Sequence, residues 1–453
     1  MTSTKSRPIN LSPLIADLAG LDLITDAIQI AKLSQDYYTF SPVLQPLLAD
    51  KTGDLVVRPA NEAEVLKVAA ACVKFKVPLT VRGAGTGNYG QCVPLEGGVI
   101  LDMTRMNAIR WVKPGLACVE PGLKMAAMDK QTRETGWEVR MAPSTYRTAT
   151  IGGFIGGGSG GIGSVTYGQL RDRGNLQAVR VVTMEDQPRV IELRGDDVYK
   201  VAHAYGTNGI ITQLEIPLAP AYPWAEVIVT FSDFMAAARF GQSLTNSDGL
   251  IKKLVCVCAA PVSTYFTALR SFIPDRAHCA LLMIAESSLE PLGGLVQEFG
   301  GTIAYQKTAQ EASKGITLAE YSWNHTTLHA RSVDSSLTYL QTLLPDDNLA
   351  LLEHLYHHFK DEVMLHLEFL RVAGSARPAA LQVVRYTTEE RLNEIIAYHE
   401  SKGAFIFNPH TYILEDGGMK AIDIEQLKFK EMVDPYGLLN PGKMRAWLER
   451  SRL

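Results

Sequence analysis

The stretch that decides the fold is Thr150-Ile-Gly-Gly-Phe-Ile-Gly-Gly-Gly-Ser-Gly-Gly-Ile-Gly-Ser164, in which eight of fifteen residues are glycine. Glycine costs conformational entropy on folding, so a domain concentrates it where the backbone takes a positive φ or closely approaches another group. The run therefore predicts a backbone surface for a large, flat or anionic ligand.

A second glycine-rich stretch lies upstream, at Arg82-Gly-Ala-Gly-Thr-Gly-Asn-Tyr-Gly90, and two such stretches suggest a ligand as long as a dinucleotide. Residues 85–90 match the G-x-G-x-x-G pattern of a Rossmann site, with Asp102 further on. That motif must open a helix, whereas residues 91–98 contain a proline and two glycines. The sequence therefore favours a nest of backbone N–H groups around an anion, with a simple tight turn as the structural alternative.

Composition and charge exclude several classes of protein. The chain has 453 residues, 46% of them hydrophobic and 20% charged, with a net charge of −4, which predicts a globular protein of two to three domains without electrostatic support for nucleic-acid binding. No apolar window is long enough for a transmembrane helix, and no apolar segment follows Lys5 and Arg7 as a signal peptide requires. We expect a cytoplasmic location and leave contact with a membrane surface open.

The six cysteines form no C-x-x-C pair, so neither a ferredoxin-type cluster nor a structural zinc site is predicted. Their scatter along a long chain suits a reducing compartment.

The pattern of short apolar segments predicts an α+β fold. Strands are expected at 55–57, 78–81, 99–102, 117–120, 176–184, 209–216, 226–230, 254–258 and 280–285, and helices at 15–33, 61–76, 124–135, 196–204 and 232–242. They mix without a strict βαβα rhythm, unlike a doubly wound fold. Prolines at 217, 220 and 223 mark a boundary, which gives an N-terminal segment 1–49, a domain 50–220, a second α+β domain 221–430 and a C-terminal segment 431–453.

An ordered set of motifs resembles the FAD-binding domain of the vanillyl-alcohol oxidase/p-cresol methylhydroxylase (PCMH-type) superfamily. The set is Pro59-x-x-x-x-Glu-Val65, Arg82-Gly-x-Gly-Thr-x-x-x-Gly90, Val99 to Asp102, Pro121-Gly122, Pro143-Ser144, Thr150-Ile-Gly-Gly153, Gly160-Gly161, Tyr167-Gly168, Asp172 and Gly206-Thr-Asn-Gly-Ile-Ile211. The segment Asp434-Pro-x-Gly-Leu-Leu-Asn-Pro-Gly-Lys443 resembles the end of the glycolate/D-lactate dehydrogenase-like branch.

The resemblance implies two α+β subdomains that cradle FAD, covered by an α+β substrate or cap domain. It also implies roles for individual residues. The FAD pyrophosphate would contact the backbone of Arg82, Gly83, Ala84, Gly85, Thr86, Gly87 and Gly90. The ribityl chain and flavin would be lined by Pro143, Ser144, Thr150, Ile151, Gly152 and Gly153, and this wall would continue at Gly160, Gly161 and Ser164. Ile211 would contact the adenine side, and Asn440 would lie near the flavin or cap a turn.

Two departures from the family pattern affect the expected chemistry. Many members attach FAD covalently through a His or Cys near the first loop, but residues 82–90 contain neither, and Cys92 is offset. We therefore expect non-covalent FAD, with Cys92 as a buried apolar residue and Tyr89 packed on the loop. The His-Gly-Asp-Gly-Asn and Glu-His-Gly segments of the glycolate and D-lactate dehydrogenases are also absent, so no metal is predicted.

Oxidation of an alcohol by flavin needs a base for the hydroxyl proton. His410 and Tyr412 follow an Asn-Pro turn in a segment read as a strand, where period two places both on one face. His325 and His329 have the i, i+4 spacing of one helix face, and Arg331 nearby is suited to a carboxylate. His410, Tyr412 and His325 are the catalytic candidates, against the alternative of buried structural or solvated side chains. His366 is read as a satisfied strand residue.

The expected function is FAD-dependent oxidation of a CH–OH donor, a 2-hydroxy acid such as glycolate or D-lactate, by hydride transfer to flavin N5. The alternatives are a sugar, polyol or alcohol oxidase of the same superfamily, and a flavin-binding subunit without turnover of its own. The partners expected are a small-molecule substrate and an electron acceptor that is a quinone, oxygen or a protein.

Overall fold

A computed structural model describes residues 11–315, 317–419 and 421–450, so Lys5 and Arg7 lie outside the described residues. Local signals in the sequence set the helix Glu62–Phe75, which lies in the half of the chain that the resemblance assigns to FAD binding (the FAD-binding half). The Asn61 side chain accepts the Glu64 N–H at 3.0 Å, while the Glu64 carboxylate accepts the N–H of Ala60 at 2.8 Å. This helix ends at Lys76, which takes a left-handed conformation. Asn61 therefore caps this helix, with the Glu64 carboxylate bonded one residue earlier than in the standard capping box.

The strands are distributed over four sheets. In chain order they are β1 (Leu23–Ile24), β2 (Leu55–Val57), β3 (Leu79–Arg82), β4 (Val99–Asp102), β5 (Ile109–Lys113), β6 (Leu116–Val119), β7 (Trp137–Val139), β8 (Ala178–Val182), β9 (Val190–Arg194), β10 (Ile210–Pro220), β11 (Trp224–Phe231), β12 (Lys252–Cys258), β13 (His278–Ala285), β14 (Thr302–Lys307), β15 (Leu337–Tyr339), β16 (Thr342–Leu343), β17 (Val363–Met364), β18 (His366–Val372), β19 (Ser375–Ala380), β20 (Val383–Arg385) and β21 (Phe405–Ile406).

The α-helices are α1 (Ser12–Asp17), α2 (Ala27–Leu33), α3 (Leu44–Leu48), α4 (Glu62–Phe75), α5 (Met125–Arg133), α6 (Ile151–Gly157), α7 (Ser164–Tyr167), α8 (Phe234–Asn246), α9 (Ala260–Ser263), α10 (Leu289–Glu298), α11 (Ala309–Ala312), α12 (Asn324–Val333), α13 (Leu349–Phe359), α14 (Glu389–Ser401), α15 (Ile424–Val433) and α16 (Arg445–Glu449).

Two sheets build the first half of the chain. The first has the order β1-β2-β4-β3, with β2, β4 and β3 parallel. The second is antiparallel, with the order β5-β6-β10-β8-β9 and β7 paired to β10. The C-terminal segment joins the first sheet, because Leu439 forms a parallel bridge with Leu79. The chain passes to the next sheet between Pro220 and Trp224, close to the predicted boundary.

An eight-stranded sheet with the order β14-β11-β13-β12-β18-β19-β16-β21 forms the second half, beside the small sheet β15-β20-β17. Its two faces have different neighbours, as the period of two requires. Val255 and Val257 of β12 face a core shared with α8, α10, α13 and α14. Cys256 and Cys258 face the opposite way, toward Ile162 of the glycine-rich run and the start of α12. The sheet thus presents one face to the FAD-binding half.

The α+β class predicted from the sequence is confirmed, and three local predictions are wrong. The helix expected over 15–33 is broken into α1, β1 and α2, with Gly20 at a positive φ. Residues 196–204 form a 3-10 helix at Gly195–Lys200 rather than an α-helix. Residues 410–414 form no strand, and a π-helix follows at Glu415–Met419.

Candidate functional site

A cavity of about 390 Å³ lies between the FAD-binding half and the inner face of the eight-stranded sheet. Its floor is formed by the two glycine-rich stretches and by residues 201–211, and its opposite wall comes from the start of α12 and from β16, β18 and β19. Both halves of the chain therefore contribute to one binding site.

The first glycine-rich stretch is held in place by the side chain of Arg82. Its guanidinium donates to the carbonyls of Leu33, Gln35 and Gly83. Gly85 has φ +67°, and a Cβ there would lie 2.1 Å from the Arg82 guanidinium. The backbone N–H groups of residues 84–87 donate to no acceptor in the described part of the chain. These free donors at the cavity surface form the kind of concavity that binds an anion.

Half of the second stretch is helical. Residues Ile151–Gly157 form α6, and the Thr150 hydroxyl caps it by accepting the Gly153 N–H. The helix buries Ile151, Phe154 and Ile155 and leaves its glycine side on the cavity. At Gly156 an added Cβ would meet no protein atom within 4 Å. The glycines therefore keep one side of α6 flat beside open space.

The loop before β10 lines the cavity beside α6. His203 and Tyr205 both have positive φ, and both line the cavity with Gly206 and Ile211. His203 Nδ1 bonds the Gly158 carbonyl at 2.8 Å, so Nδ1 carries the proton and Nε2 is an acceptor. Burial lowers the pKa of His203, and its Nε2 has no partner among the described residues.

A buried acid and a buried base lie beside the first stretch. The Asp36 Oδ1 accepts the Tyr38 N–H at 2.9 Å, while Oδ2 is buried without a hydrogen-bond partner. Burial raises the pKa of Asp36 to about 6, against the positive charge of Lys443. Burial lowers the pKa of Lys443 to about 7, and its ammonium donates to the Gly90 carbonyl at 2.6 Å. Asp36 lines the cavity, so its free oxygen is available to a ligand.

On the cap side, Trp323 takes the strained conformation φ +52°, ψ −138° immediately before α12. Its backbone N–H donates to the buried Glu368 carboxylate at 2.6 Å, and its indole lines the cavity. The strained residue places Asn324 and His325 on the cavity wall at the first turn of α12.

His325 pairs with a carboxylate. Its Nδ1 lies 3.1 Å from the Glu320 Oε2, and the same carboxylate also pairs with Arg147. Burial acts to raise the pKa of Glu320, but the hydrogen bond from His325 and the charge of Arg147 outweigh it, so the net pKa is lowered and Glu320 is ionised. An ionised Glu320 fixes the proton of His325 on Nδ1 and leaves Nε2 as a base.

The two groups predicted beside His325 have other contacts. His329 Nε2 bonds the Glu320 carbonyl at 2.9 Å and its ring stacks on Tyr321. Arg331 donates to the carbonyls of Leu337 and Thr39. Neither lines the cavity, so the suggested carboxylate-binding role of Arg331 has no support in the geometry.

The structure places His410 and Tyr412 away from the cavity. The His410 Nδ1 contacts the Ser41 hydroxyl at 2.7 Å and its Nε2 the Tyr339 carbonyl at 2.9 Å, so both ring nitrogens are occupied. Tyr412 packs in a small core with Leu48. Because residues 410–414 are not a strand, the face inferred for these two side chains does not exist.

The residues predicted to bind cofactor fall into two groups. Thirteen line the cavity: Arg82, Gly83, Ala84, Gly85, Thr86, Gly87, Pro143, Ser144, Thr150, Gly152, Gly153, Gly160 and Ile211. The other five do not line the cavity: Gly90, Ile151, Gly161, Ser164 and Asn440. Asn440, for example, donates from its side-chain amide to the carbonyls of Gln91 and Tyr205, at 2.8 and 2.5 Å.

Several lining residues were not predicted from the sequence. Asp36, Tyr37 and Phe40 come from the N-terminal segment, to which no site role was given. Gln341 accepts the Tyr89 hydroxyl and donates to Asn324 at 3.2 Å, which forms a polar row beside His325. The signal available for the first group was the carboxylate of Asp36 next to two tyrosines, Tyr37 and Tyr38.

Comparison with known proteins agrees with this geometry. Residues 53–190 match a family model described as FAD binding domain. An uncharacterized FAD-linked oxidoreductase of Mycobacterium tuberculosis is 29% identical over 58% of this chain, and the match spans 62% of the relative's own length. The glycolate oxidase subunit GlcD of Bacillus subtilis is 24% identical over 88% of this chain and 90% of the relative. A solved alkyldihydroxyacetonephosphate synthase has the same fold, with a TM-score of 0.73 and 18% identity over 98% of this chain and 86% of that one.

The fold and the site together define a two-part flavin-binding protein with a cap. Residues 53–190 match an FAD-binding domain, and the similar proteins include glycolate oxidase subunits and D-lactate dehydrogenases, which is consistent with the PCMH-type superfamily that the motifs indicated.

The residues present fit FAD. The cavity offers free backbone N–H groups at residues 84–87, a flat glycine side on α6, and buried polar atoms that lack a protein partner, namely Asp36 Oδ2, His203 Nε2 and Trp323 Nε1. Phosphate oxygens of FAD would accept from the free N–H groups, and its planar ring would lie on the glycine side of α6. Polar atoms of the ribose or the ring would pair with the buried polar atoms.

No helix in the described ranges is long and apolar enough to cross a membrane.

Proposed function

We propose that the protein is an FAD-dependent oxidoreductase that oxidises a CH–OH group. The observation that carries this proposal is the His325–Glu320 pair on the cap wall, opposite the flat cofactor surface. FAD, when bound, supplies the hydride acceptor. What this chain must add is a base for the hydroxyl proton and a wall that orients the alcohol.

His325 is the residue that we assign as the base. With its Nδ1 proton held by Glu320, Nε2 is free to accept the proton of a hydroxyl in the cavity. Glu320 acts through His325 and is a positioning residue. Asn324 and Gln341, joined at 3.2 Å, lie on the same wall and are placed to bond the substrate oxygen. His410 is not part of this proposal, because its two ring nitrogens already bond protein atoms.

The cap wall favours an uncharged alcohol over a 2-hydroxy acid. Among the described residues lining the cavity, Arg82 alone carries a permanent positive charge, and its guanidinium bonds backbone carbonyls at the cofactor end. Apart from His325, the cap side presents mainly amides and apolar side chains, including Leu343, Leu370 and Phe407. A buried carboxylate without a cationic partner is costly, so a neutral substrate with an apolar body is the better match.

We further propose that FAD is held without a covalent bond. Cys92 lines the cavity, but burial raises the pKa of its thiol to about 11, so the nucleophilic thiolate is scarce at neutral pH. Precipitation of the protein with acid should release the yellow colour into the supernatant; colour retained in the pellet would contradict this part of the proposal.

The test of function is anaerobic reduction of the purified yellow protein. Neutral aromatic and aliphatic alcohols should bleach the flavin band, whereas glycolate and D-lactate should bleach it slowly or not at all. The control variant His329→Gln should behave as the wild type, because His329 does not line the cavity. Faster bleaching by the hydroxy acids would overturn the substrate assignment. A yellow protein that no alcohol, polyol or hydroxy acid bleaches would be a flavin-binding subunit without turnover.

A further inference from the structure

A cluster of metal-ligand side chains lies buried on the inner face of the eight-stranded sheet. Cys256 and Cys258 are two apart on β12, so they share a face, and their cross-strand partners on β18 are Glu368 and His366. At most 1% of each of these residues is exposed. The pairing register thus brings two thiols, an imidazole and a carboxylate together from two adjacent strands.

The distances suit a tetrahedral cation. The Sγ atoms of Cys256 and Cys258 are 3.8 Å apart, and Cys256 Sγ is 3.4 Å from the His366 Nε2. Bonds of about 2.3 Å to sulfur and about 2.05 Å to nitrogen give tetrahedral edges of about 3.8 Å between sulfurs and about 3.6 Å between sulfur and nitrogen. The ligand atoms of Cys256, Cys258 and His366 all lie within 4.8 Å of one another.

The groups around the cluster offer few hydrogen-bond donors to its lone pairs. His366 Nδ1 bonds the Leu381 carbonyl at 3.1 Å, so Nδ1 carries the proton and Nε2 presents its lone pair. Glu368 Oε1 faces that lone pair at 2.8 Å, and Oε2 is buried without a partner. The Thr326 hydroxyl, also near Nε2, gives its proton to the Tyr321 carbonyl at 2.6 Å. With a neutral imidazole, the Nε2 lone pair has only the weak thiol donor of Cys256 among the described residues of this dry interior.

We propose that Cys256, Cys258, His366 and Glu368 form a structural site for zinc or a similar divalent cation. Two sulfurs and one nitrogen supply three ligands, and the Glu368 carboxylate, 2.8 Å from the His366 Nε2, would move to supply the fourth. Such a closed, mixed set suits a borderline cation without an open catalytic position. The Leu381 carbonyl serves as the outer partner that orients the imidazole. No metal was predicted from the sequence because the cysteines form no C-x-x-C pair, but on a strand the i, i+2 spacing is the one that shares a face.

The site has a consequence for the cavity. Glu368 Oε1 also accepts the backbone N–H of Trp323 at 2.6 Å, so a cation on Glu368 would anchor the strained residue that begins α12. The cation would stabilise the cap wall that carries His325 without touching the substrate. This inference is independent of the proposed reaction.

Metal analysis of the full-length flavoprotein, purified without chelator, tests the proposal. About one zinc per chain is expected in the wild type and in Cys118→Ser, a buried thiol of the other half, and less than a tenth in Cys256→Ser/Cys258→Ser. Replacement of zinc by Co²⁺ should give a thiolate-to-cobalt charge-transfer band in the wild type. This second measurement needs no variant, so it stands even if the double variant folds poorly.

Two results would overturn the proposal. In the first, the wild-type protein holds less than a tenth of a zinc per chain after reconstitution with Zn²⁺ and gives no charge-transfer band with Co²⁺. That result would mean that His366 and Glu368 share a proton instead of binding a cation. The other is a double variant that retains as much zinc as Cys118→Ser.

Discussion

At the scale of single residues, the contacts of the ring nitrogens separate His325 from His410. His325 bonds a carboxylate through one nitrogen and lines the cavity, whereas His410 bonds Ser41 and the Tyr339 carbonyl through both. Sequence patterns name the residue types that can act as bases, but the direction of each ring nitrogen depends on neighbours that are distant in the chain.

Replacement of His325 by Gln should slow flavin reduction by about 10²–10⁴-fold, because a positioned general base contributes that much. Glu320→Gln should slow it less and shift its pH profile, because Glu320 acts only by holding the His325 proton. Stopped-flow absorbance under anaerobic conditions measures both. Unchanged reduction in His325→Gln, with FAD still bound, would remove His325 from the mechanism.

His410 makes stability depend on pH. Burial lowers the pKa of His410 to about 4, from 6.5 in the unfolded chain. The contribution of neutral His410 to the free energy of unfolding is complete above pH 6.5 and is lost as the pH falls toward 4, because the unfolded state then takes up a proton that the folded state resists. The full shift in pKa corresponds to about 3 kcal/mol.

Urea unfolding of wild type and His410→Gln between pH 7.5 and pH 4.5 measures this effect. The wild type should lose its free-energy advantage over the variant as the pH falls. Parallel pH dependence of the two proteins would show that His410 does not remain neutral in the fold.

At the scale of elements, α6 is a helix with a glycine side that faces the cavity. Gly156→Leu would place a side chain in open cavity space, since an added Cβ meets no protein atom within 4 Å. FAD affinity should fall about 10-fold or more, the effect of about 1–3 kcal/mol of overpacking, while the apoprotein keeps its stability.

The matched control is Gly293→Leu, in helix α10, where an added Cβ also meets nothing and the residue lies outside the cavity. FAD titration by fluorescence quenching compares the two variants. Equal affinities would mean that α6 does not contact the cofactor.

Sequence patterns predicted strands within the sheets better than they predicted segments such as 410–414, which form loops. β-branched runs such as 178–182 have one stable local structure on a sheet, so the pattern suffices. The segment 410–414 has the same alternation, but Pro409 and the carboxylate contacts of Glu415 with the N–H groups of Arg445 and Ala446 turn it into a loop and a π-helix. Those contacts come from another part of the chain and leave no local signal.

At the scale of the whole molecule, the cavity joins the two halves of the chain, so a ligand there should stabilise both. FAD at 100 times its dissociation constant should add about 2.7 kcal/mol to the free energy of unfolding of the apoprotein and raise its Tm. Riboflavin, which lacks the pyrophosphate that residues 84–87 are placed to bind, should raise it less. Differential scanning calorimetry measures the shifts, and equal shifts would contradict the assigned role of the first glycine-rich stretch.

The family motifs named thirteen residues that line one side of the cavity, but none of them lies on the cap wall. The order of Arg82 and the glycines is recognisable because it follows an FAD-binding pattern, and their cofactor role stays a prediction. The cap wall depends on side chains such as Gln341 and Leu370, whose type follows the substrate and not the fold.

Asn440 has a consequence for how the protein is made. Its amide joins the carbonyls of Gln91 and Tyr205, and the first of these contacts spans 349 residues of sequence. At about 5–20 residues per second, ribosomes need about 20–70 s to synthesise that interval. Until then the carbonyls of Gln91 and Tyr205 lack this link between them, so we expect stable incorporation of FAD to be a late event in biosynthesis.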